Sequence, residues 1–127
     1  PIDTTKAFVA QNIKGNWPHM IALHEGEVIG WCDVTARNRP VFAHIGSLGM
    51  GVLAPYRGKG VGNALISTAL QKAKAKGLAR IELTVREHNK TAIALYKKFG
   101  FVQEGVHIKG VCIDGQYENH IFMALLF

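Results

Sequence analysis

A chain of 127 residues, 48% apolar and 19% charged, has the size and composition of one folded domain, which excludes a disordered segment and argues against two domains. Fifteen basic against nine acidic residues give a net charge of +6 and favour anionic partners. No apolar run reaches the roughly 18–20 residues of a membrane helix and no secretory signal opens the chain, so a cytoplasmic protein with no membrane partner is expected. Cys32 and Cys112 stand far apart without a CxxC partner and read as buried thiols rather than a disulfide. The chain starts at Pro1 instead of methionine, as a processed or trimmed N-terminus would.

Residues 1–16 are polar and weakly periodic, and read as the end of a helix plus a loop. Two strand-like runs, Pro18–Leu23 and Val28–Val34, flank Glu25-Gly26-Glu27 and predict a hairpin. After a turn at Arg37–Pro40 comes a strand from Phe42 to Leu53, which carries Gly46, Gly49 and Gly51. Ala54-Pro55-Tyr56 breaks it, and Arg57-Gly58-Lys59-Gly60-Val61-Gly62 follows. Val61–Lys76 has helical periodicity, with Val61, Leu65, Leu70 and Ala73 near one face and Gly77 closing a lysine-rich last turn. Lys72, Lys74 and Lys76 read as its solvated face. Ala79–Arg86 is rich in strand formers. A shorter helix, Thr91–Phe99, is expected to bury Ile93, Leu95 and Phe99. Two last strands, Val106–Ile113 and Asn119–Leu126, meet at Asp114-Gly115, a strong hairpin signal.

A strand, a long helix and a second strand imply a right-handed crossover between parallel neighbours, while the hairpins must be antiparallel. The expected fold class is therefore α/β of the α+β type. A mixed, mostly antiparallel sheet with flanking helices would form a single domain over residues 1–127.

The positive charge is unevenly spread. No carboxylate occurs between Asp33 and Glu82, whereas eight arginines and lysines do. Nucleic acid, a membrane surface or a phosphorylated small molecule would each suit such a stretch. The glycine-rich turn narrows the choice, because a helix start offers backbone N–H groups to phosphate and glycine lets the backbone close around it. Lys59 is followed by glycine, which rules out GxxxxGK[S/T]. Asn63 stands where GxGxxG needs its third glycine, and Ile45 where GxSxG needs its first. Six scattered histidines show no metal-ligand spacing, so no metal is expected.

Arg57–Gly62 fits the pattern Q/R-x-x-G-x-G/A, and Asn89–Phe101 fits N..A..LYxxxGF with the IELTV strand between them. From about Trp17 onward the chain resembles the GNAT superfamily of acyl-CoA-dependent N-acetyltransferases. It is most similar to bacterial members that acetylate free amino acids, small peptides or related amines. The family's usual strand and two helices before this region have only sixteen residues here, so an N-terminal strand and helix are expected to be absent.

The resemblance implies acetyl-CoA as co-substrate and a small amine as acceptor, without a metal or prosthetic group. It places the pyrophosphate on Gly58, Lys59, Gly60, Val61, Gly62 and Asn63, beside Arg57. The pantetheine arm would lie along Met50, Gly51 and Val52, with Gly49 and Gly51 admitting its close approach, and Asn89 would cap the second helix, contact the cofactor, or both. Tyr96 is the expected catalytic residue, supplying a proton or a hydrogen bond to the departing thiolate. The base is open. Thr84 occupies the position where some relatives carry a glutamate, leaving Glu82 as the candidate on that strand, with His44 and Asp33 on neighbouring ones. Trp31, Tyr117 and His120 are candidates for the acceptor pocket. The alternatives are a catalytically weak acyl-CoA sensor of the same fold and a basic nucleic-acid-contacting protein; self-association into a homodimer is left open.

Overall fold

The protein is described by a computed structural model over residues 2–127, the side chains of Ile2 and Thr4 excepted. The expectation of a processed terminus concerns Pro1, which lies outside the described residues. The first helix, α1, spans Ile2–Gly15, so almost the whole opening segment is helical rather than a helix end followed by a loop. The strands β1 (His19–His24) and β2 (Glu27–Ala36) form the first hairpin through Glu25 and Gly26, both at positive φ. Then come β3 (Ile45–Val52), α2 (Val61–Ala75), β4 (Arg80–Arg86) and α3 (Lys90–Lys98), followed by the hairpin of β5 (Val102–Ile113) and β6 (Gln116–Leu126) turning at Asp114-Gly115.

The six strands make one sheet in the order β1-β2-β3-β4-β6-β5. β3 and β4 are parallel, joined through α2, and every other neighbouring pair is antiparallel, as the element order requires. Before β1 the described residues hold one helix and no strand. Several strand boundaries differ from expectation, β6 among them, which begins at Gln116 rather than Asn119. Pro40–Phe42 forms a short 3-10 turn, so β3 begins only at Ile45. β5 begins at Val102 because its pairing with β6 continues past two irregularities, one between Gln103 and Gly105 and one between His107 and Val111.

The core lies between the sheet and α2. That helix buries Leu65, Ile66, Ala69, Leu70 and Ala73, a stripe at helical spacing that meets Val34, Ile81 and Met123. Full burial of each Leu or Ile side chain contributes about 1.5–3 kcal/mol. Along β2 the alternation sends Gly30, Cys32 and Val34 toward α2, and Trp31, Asp33 and Thr35 to the opposite face, where Asn12 of α1 accepts a 2.8 Å hydrogen bond from Thr35. Cys32 is buried as expected, but Cys112 is exposed because the β5–β6 hairpin lacks a covering layer at its tip. Among the described residues no helix is long and apolar enough to cross a membrane.

Candidate active site

The parallel pair is short. Only Ile45, Gly46 and Ser47 of β3 find partners on β4, namely Arg80, Ile81 and Glu82. Past this point the strands part, leaving a wedge-shaped gap inside the sheet. The hydrogen bonds Arg37 N to Ile45 O and Leu53 N to Ile29 O show that odd-numbered residues of β3 bond to β2. By antiparallel alternation Met50 and Val52 therefore turn their backbone groups into the gap. On the other side Phe127 N donates to Ala79 O and Glu87 N to Asn119 O, so Thr84 and Arg86 also turn theirs inward. A gap walled by backbone donors and acceptors suits an extended, amide-bearing ligand.

Below the gap the phosphate-type loop leads into α2. Gly58 (φ 73°) and Gly60 (φ 86°) hold the left-handed conformation, and a Cβ at either would point into open space. Gly60 is also the N-cap of α2, so the first N–H groups of that helix face outward beside the loop. The Arg57 Nε donates to Val52 O at 2.9 Å, tying the loop to the end of β3. α3 supplies the facing wall. Asn89 caps it, its side chain accepting from Ala92 N at 3.2 Å, and a Cβ at Gly62 would stand 3.4 Å from Met50 Cε and 3.5 Å from Leu95 Cδ2.

A cavity of about 1180 Å³ unites these parts. Of the expected binding residues it is lined by Met50, Gly51, Val52, Arg57 and Gly58, and by Gly60, Gly62, Asn63 and Asn89. Lys59 and Val61 do not line it. The Lys59 Nζ lies 6.0 Å from the Tyr56 ring centroid, and Val61 packs against the core. Sequence reasoning missed Arg86, His88 and Lys98. The Lys98 Nζ donates to the Asn63 side chain at 2.8 Å, joining the end of α3 to the start of α2. Its signal was spacing, two residues beyond Tyr96 on the wall opposite the glycines. Among the described residues no carboxylate lines the cavity, while Arg57, Arg86 and Lys98 do, which favours an anionic ligand.

Tyr96 also lines this cavity and is the buried residue of α3; Ile93, Leu95 and Phe99 are only partly buried, in a helix that gives much of its surface to the cavity wall. Its ring packs on Phe101 at 5.8 Å. Burial pushes the phenol up, with the neighbouring Cys32 adding to the shift, so Tyr96 stays protonated and can act as a donor.

Glu82 is placed elsewhere. It lies outside the cavity lining, where its carboxylate accepts from Arg37 at 2.6 Å and from Arg80 at 2.9 Å. Burial pushes this carboxyl up, but the two arginine hydrogen bonds outweigh that and hold it below the usual range. A carboxylate so held is a weak proton acceptor. His44 lies just before β3, where its carbonyl accepts from Ala79 and Arg80, away from the lining.

Gly49 and Gly51 also make room for a neighbour that was not expected. A Cβ at Gly49 would stand 3.2 Å from Trp31 Cζ3, and one at Gly51 would stand 2.9 Å from Trp31 Nε1. The indole lies across both residues on the face away from α2, and Gly51 lines the cavity as well. Tyr117 lies on the exposed hairpin beneath Lys109, whereas His120 sits near Phe122, with 5.7 Å between ring centroids.

A sheet that splays beside a glycine loop at a helix start defines a class of acyl-CoA-binding fold. The model of the acetyltransferase (GNAT) family matches residues 3–101, and the chain belongs to that family. The L-amino acid N-acetyltransferase AaaT of Escherichia coli K12 is 32% identical over 106 residues, covering 83% of this chain and 65% of that protein. A GNAT acetyltransferase from Streptococcus pneumoniae superposes with a TM-score of 0.90 at 31% identity over 95% of this chain and 74% of that one. A phosphinothricin acetyltransferase from Sinorhizobium meliloti, solved in complex with acetyl-CoA, gives 0.89 at 28% identity over 100% and 70%. The chain thus spans about two thirds of the length of AaaT.

Proposed function

We propose that the chain carries an acetyl-CoA-dependent N-acetyltransferase activity, moving an acetyl group directly to the primary amine of a small molecule, amino acid or peptide. The observation that carries this reading is the gap between β3 and β4 opening into a carboxylate-free cavity that holds both the glycine loop and Tyr96. The pyrophosphate rests on the N–H groups of Gly58–Asn63 beside Arg57 and Lys98, and the pantetheine arm occupies the gap against the Met50 and Val52 backbone. The Met50 N–H is the donor for the developing oxyanion, typically a large part of acyl-transfer catalysis. Tyr96, held neutral, gives the departing sulfur its proton or a hydrogen bond.

The relationship to AaaT supports an L-amino acid or similar acceptor, and the acetyl-CoA complex of the Sinorhizobium neighbour supports the co-substrate. A sensor or nucleic-acid role draws no support from these relatives. A cytoplasmic location belongs to the same proposal.

The test is thiol release from acetyl-CoA across a panel of L-amino acids, polyamines and short peptides. Release with at least one amine, with mass spectrometry finding the N-acetyl product, is the expected result. Tight acetyl-CoA binding without release from any amine would contradict the enzyme reading and leave the sensor.

A further inference from the structure

The sheet face turned away from α2 and α3 has carboxylates of two kinds. Glu82 is held by Arg37 and Arg80, Glu104 by Arg80, and Glu118 by Arg86 and by the His88 Nδ1 at 2.7 Å. Asp33 has no arginine. It is 6% exposed, and the titratable group opposite it is its register partner on β1, His19.

Two residues away on the same face lies Trp31, 41% exposed, its indole laid over Gly49 and Gly51. A Cβ built at Gly49 would be 3.2 Å from the ring and 3.7 Å from Asp33 Oδ1, so ring and carboxylate meet above that glycine. Gly51, under the same indole, lines the cavity. Trp31 and Asp33 themselves lie outside the cavity lining, on the far face of the sheet beside β3, whose Met50–Val52 stretch borders the gap.

We propose that Asp33 is the acceptor-side base, receiving the acceptor's ammonium group against the Trp31 indole and taking a proton from it, across the sheet from Tyr96. The inference rests on the acetyl-transfer reading. The acceptor class is a protonated primary amine, since an indole face attracts a cation and a carboxylate hydrogen-bonds it. One proton passes from the ammonium to Asp33, leaving a neutral amine whose lone pair forms the C–N bond at the thioester carbonyl. The C–S bond breaks with its electron pair on sulfur, which takes the Tyr96 proton. The proton still to leave the acetylated nitrogen restores the Tyr96 phenol, and Asp33 releases its own to water.

Basicity agrees with this division. Burial pushes the Asp33 carboxyl up, with the His19 charge pulling partly back, whereas the arginines hold Glu82, Glu104 and Glu118 below the usual range. The groups around Asp33 are His19 from β1, side-chain-free Gly49 from β3, uncharged Trp31 and Thr35 on its own strand, and uncharged Asn12 of α1, which contacts His19 and Thr35. Cys32, adjacent in the chain, is pushed up to about 12 by burial and by Asp33 and stays a thiol.

The experiment is kcat/KM against pH with the best amine for wild type, Asp33→Asn and Asp33→Glu, with acetyl-CoA affinity measured by calorimetry. Wild-type kcat/KM should rise with pH through an acid limb above the ordinary aspartate range. Asp33→Asn should keep its acetyl-CoA affinity, lose about 10²-fold in kcat/KM and lose that limb. Asp33→Glu should keep a limb with a displaced midpoint, and it decides alone should the Asn variant fail to fold. An Asn variant with wild-type kcat/KM, or a Glu variant whose midpoint does not move, overturns the role of Asp33 while acetyl transfer stands. A wild type that binds acetyl-CoA and acetylates no amine overturns the acetyl-transfer reading, and this inference with it.

Discussion

Tyr96 brings together two demands that usually pull apart. It is 7% exposed, as a core aromatic should be, yet it lines the cavity that the glycine loop opens. The two roles separate in one substitution. Tyr96→Phe keeps the ring and its packing on Phe101, so acetyl-CoA affinity should hold while kcat falls about 10²-fold, as loss of a general acid commonly does. A hydroxyl serving only the core would instead cost about 1 kcal/mol of stability and leave turnover intact. Steady-state kinetics beside thermal unfolding distinguish these outcomes. Tyr96 was legible in the sequence because its motif is local. The state of Glu82 was not, since Arg37 lies 45 residues away in the chain and reaches it only after the sheet has formed.

Among the elements, the loop and the start of α2 act as one device. A side chain at position 60 would have to adopt φ 86°, which costs an L-residue roughly 1–2 kcal/mol, and it would project into the space beside the helix N-terminus. Gly60→Val should therefore weaken acetyl-CoA binding at least tenfold in calorimetry while the protein stays folded by circular dichroism, since position 60 lies outside the core between the sheet and α2. Unchanged affinity would remove the phosphate from this loop. α2, α3, the Asp114-Gly115 turn and the parallel crossover were legible because periodicity and turn chemistry are short-range signals, whereas the weak periodicity before Gly15 hid most of α1. The early start of β5 and the 3-10 turn at Pro40–Phe42 were hidden. Pairing with β6 extends β5 through two irregular stretches, and nothing local in Val102–Gly105 announces it.

On the scale of the whole molecule, function depends on a sheet that fails to close. β3 is eight residues long and β4 seven, but only three residue pairs join them, so backbone groups that any other interior strand would satisfy face a cavity. The sequence singled out Gly49, Gly51, Trp31 and Asp33 one by one, but nothing local shows that β3 and β4 part after three pairs, or that the indole lies over both glycines with Asp33 beside it; those placements arise only once the sheet has formed. Acid and base would then stand on opposite faces, with the thioester passing between the strands. The most direct measurement is an NMR titration of backbone amides with acetyl-CoA. Shifts concentrated at Met50, Val52 and Gly58–Asn63, with Asn89 and Tyr96 following, are expected if the ligand fills the gap as an added strand. Shifts confined to the basic rim around Arg37 and Arg39, or amides of Met50 and Val52 unmoved at saturation, would contradict it.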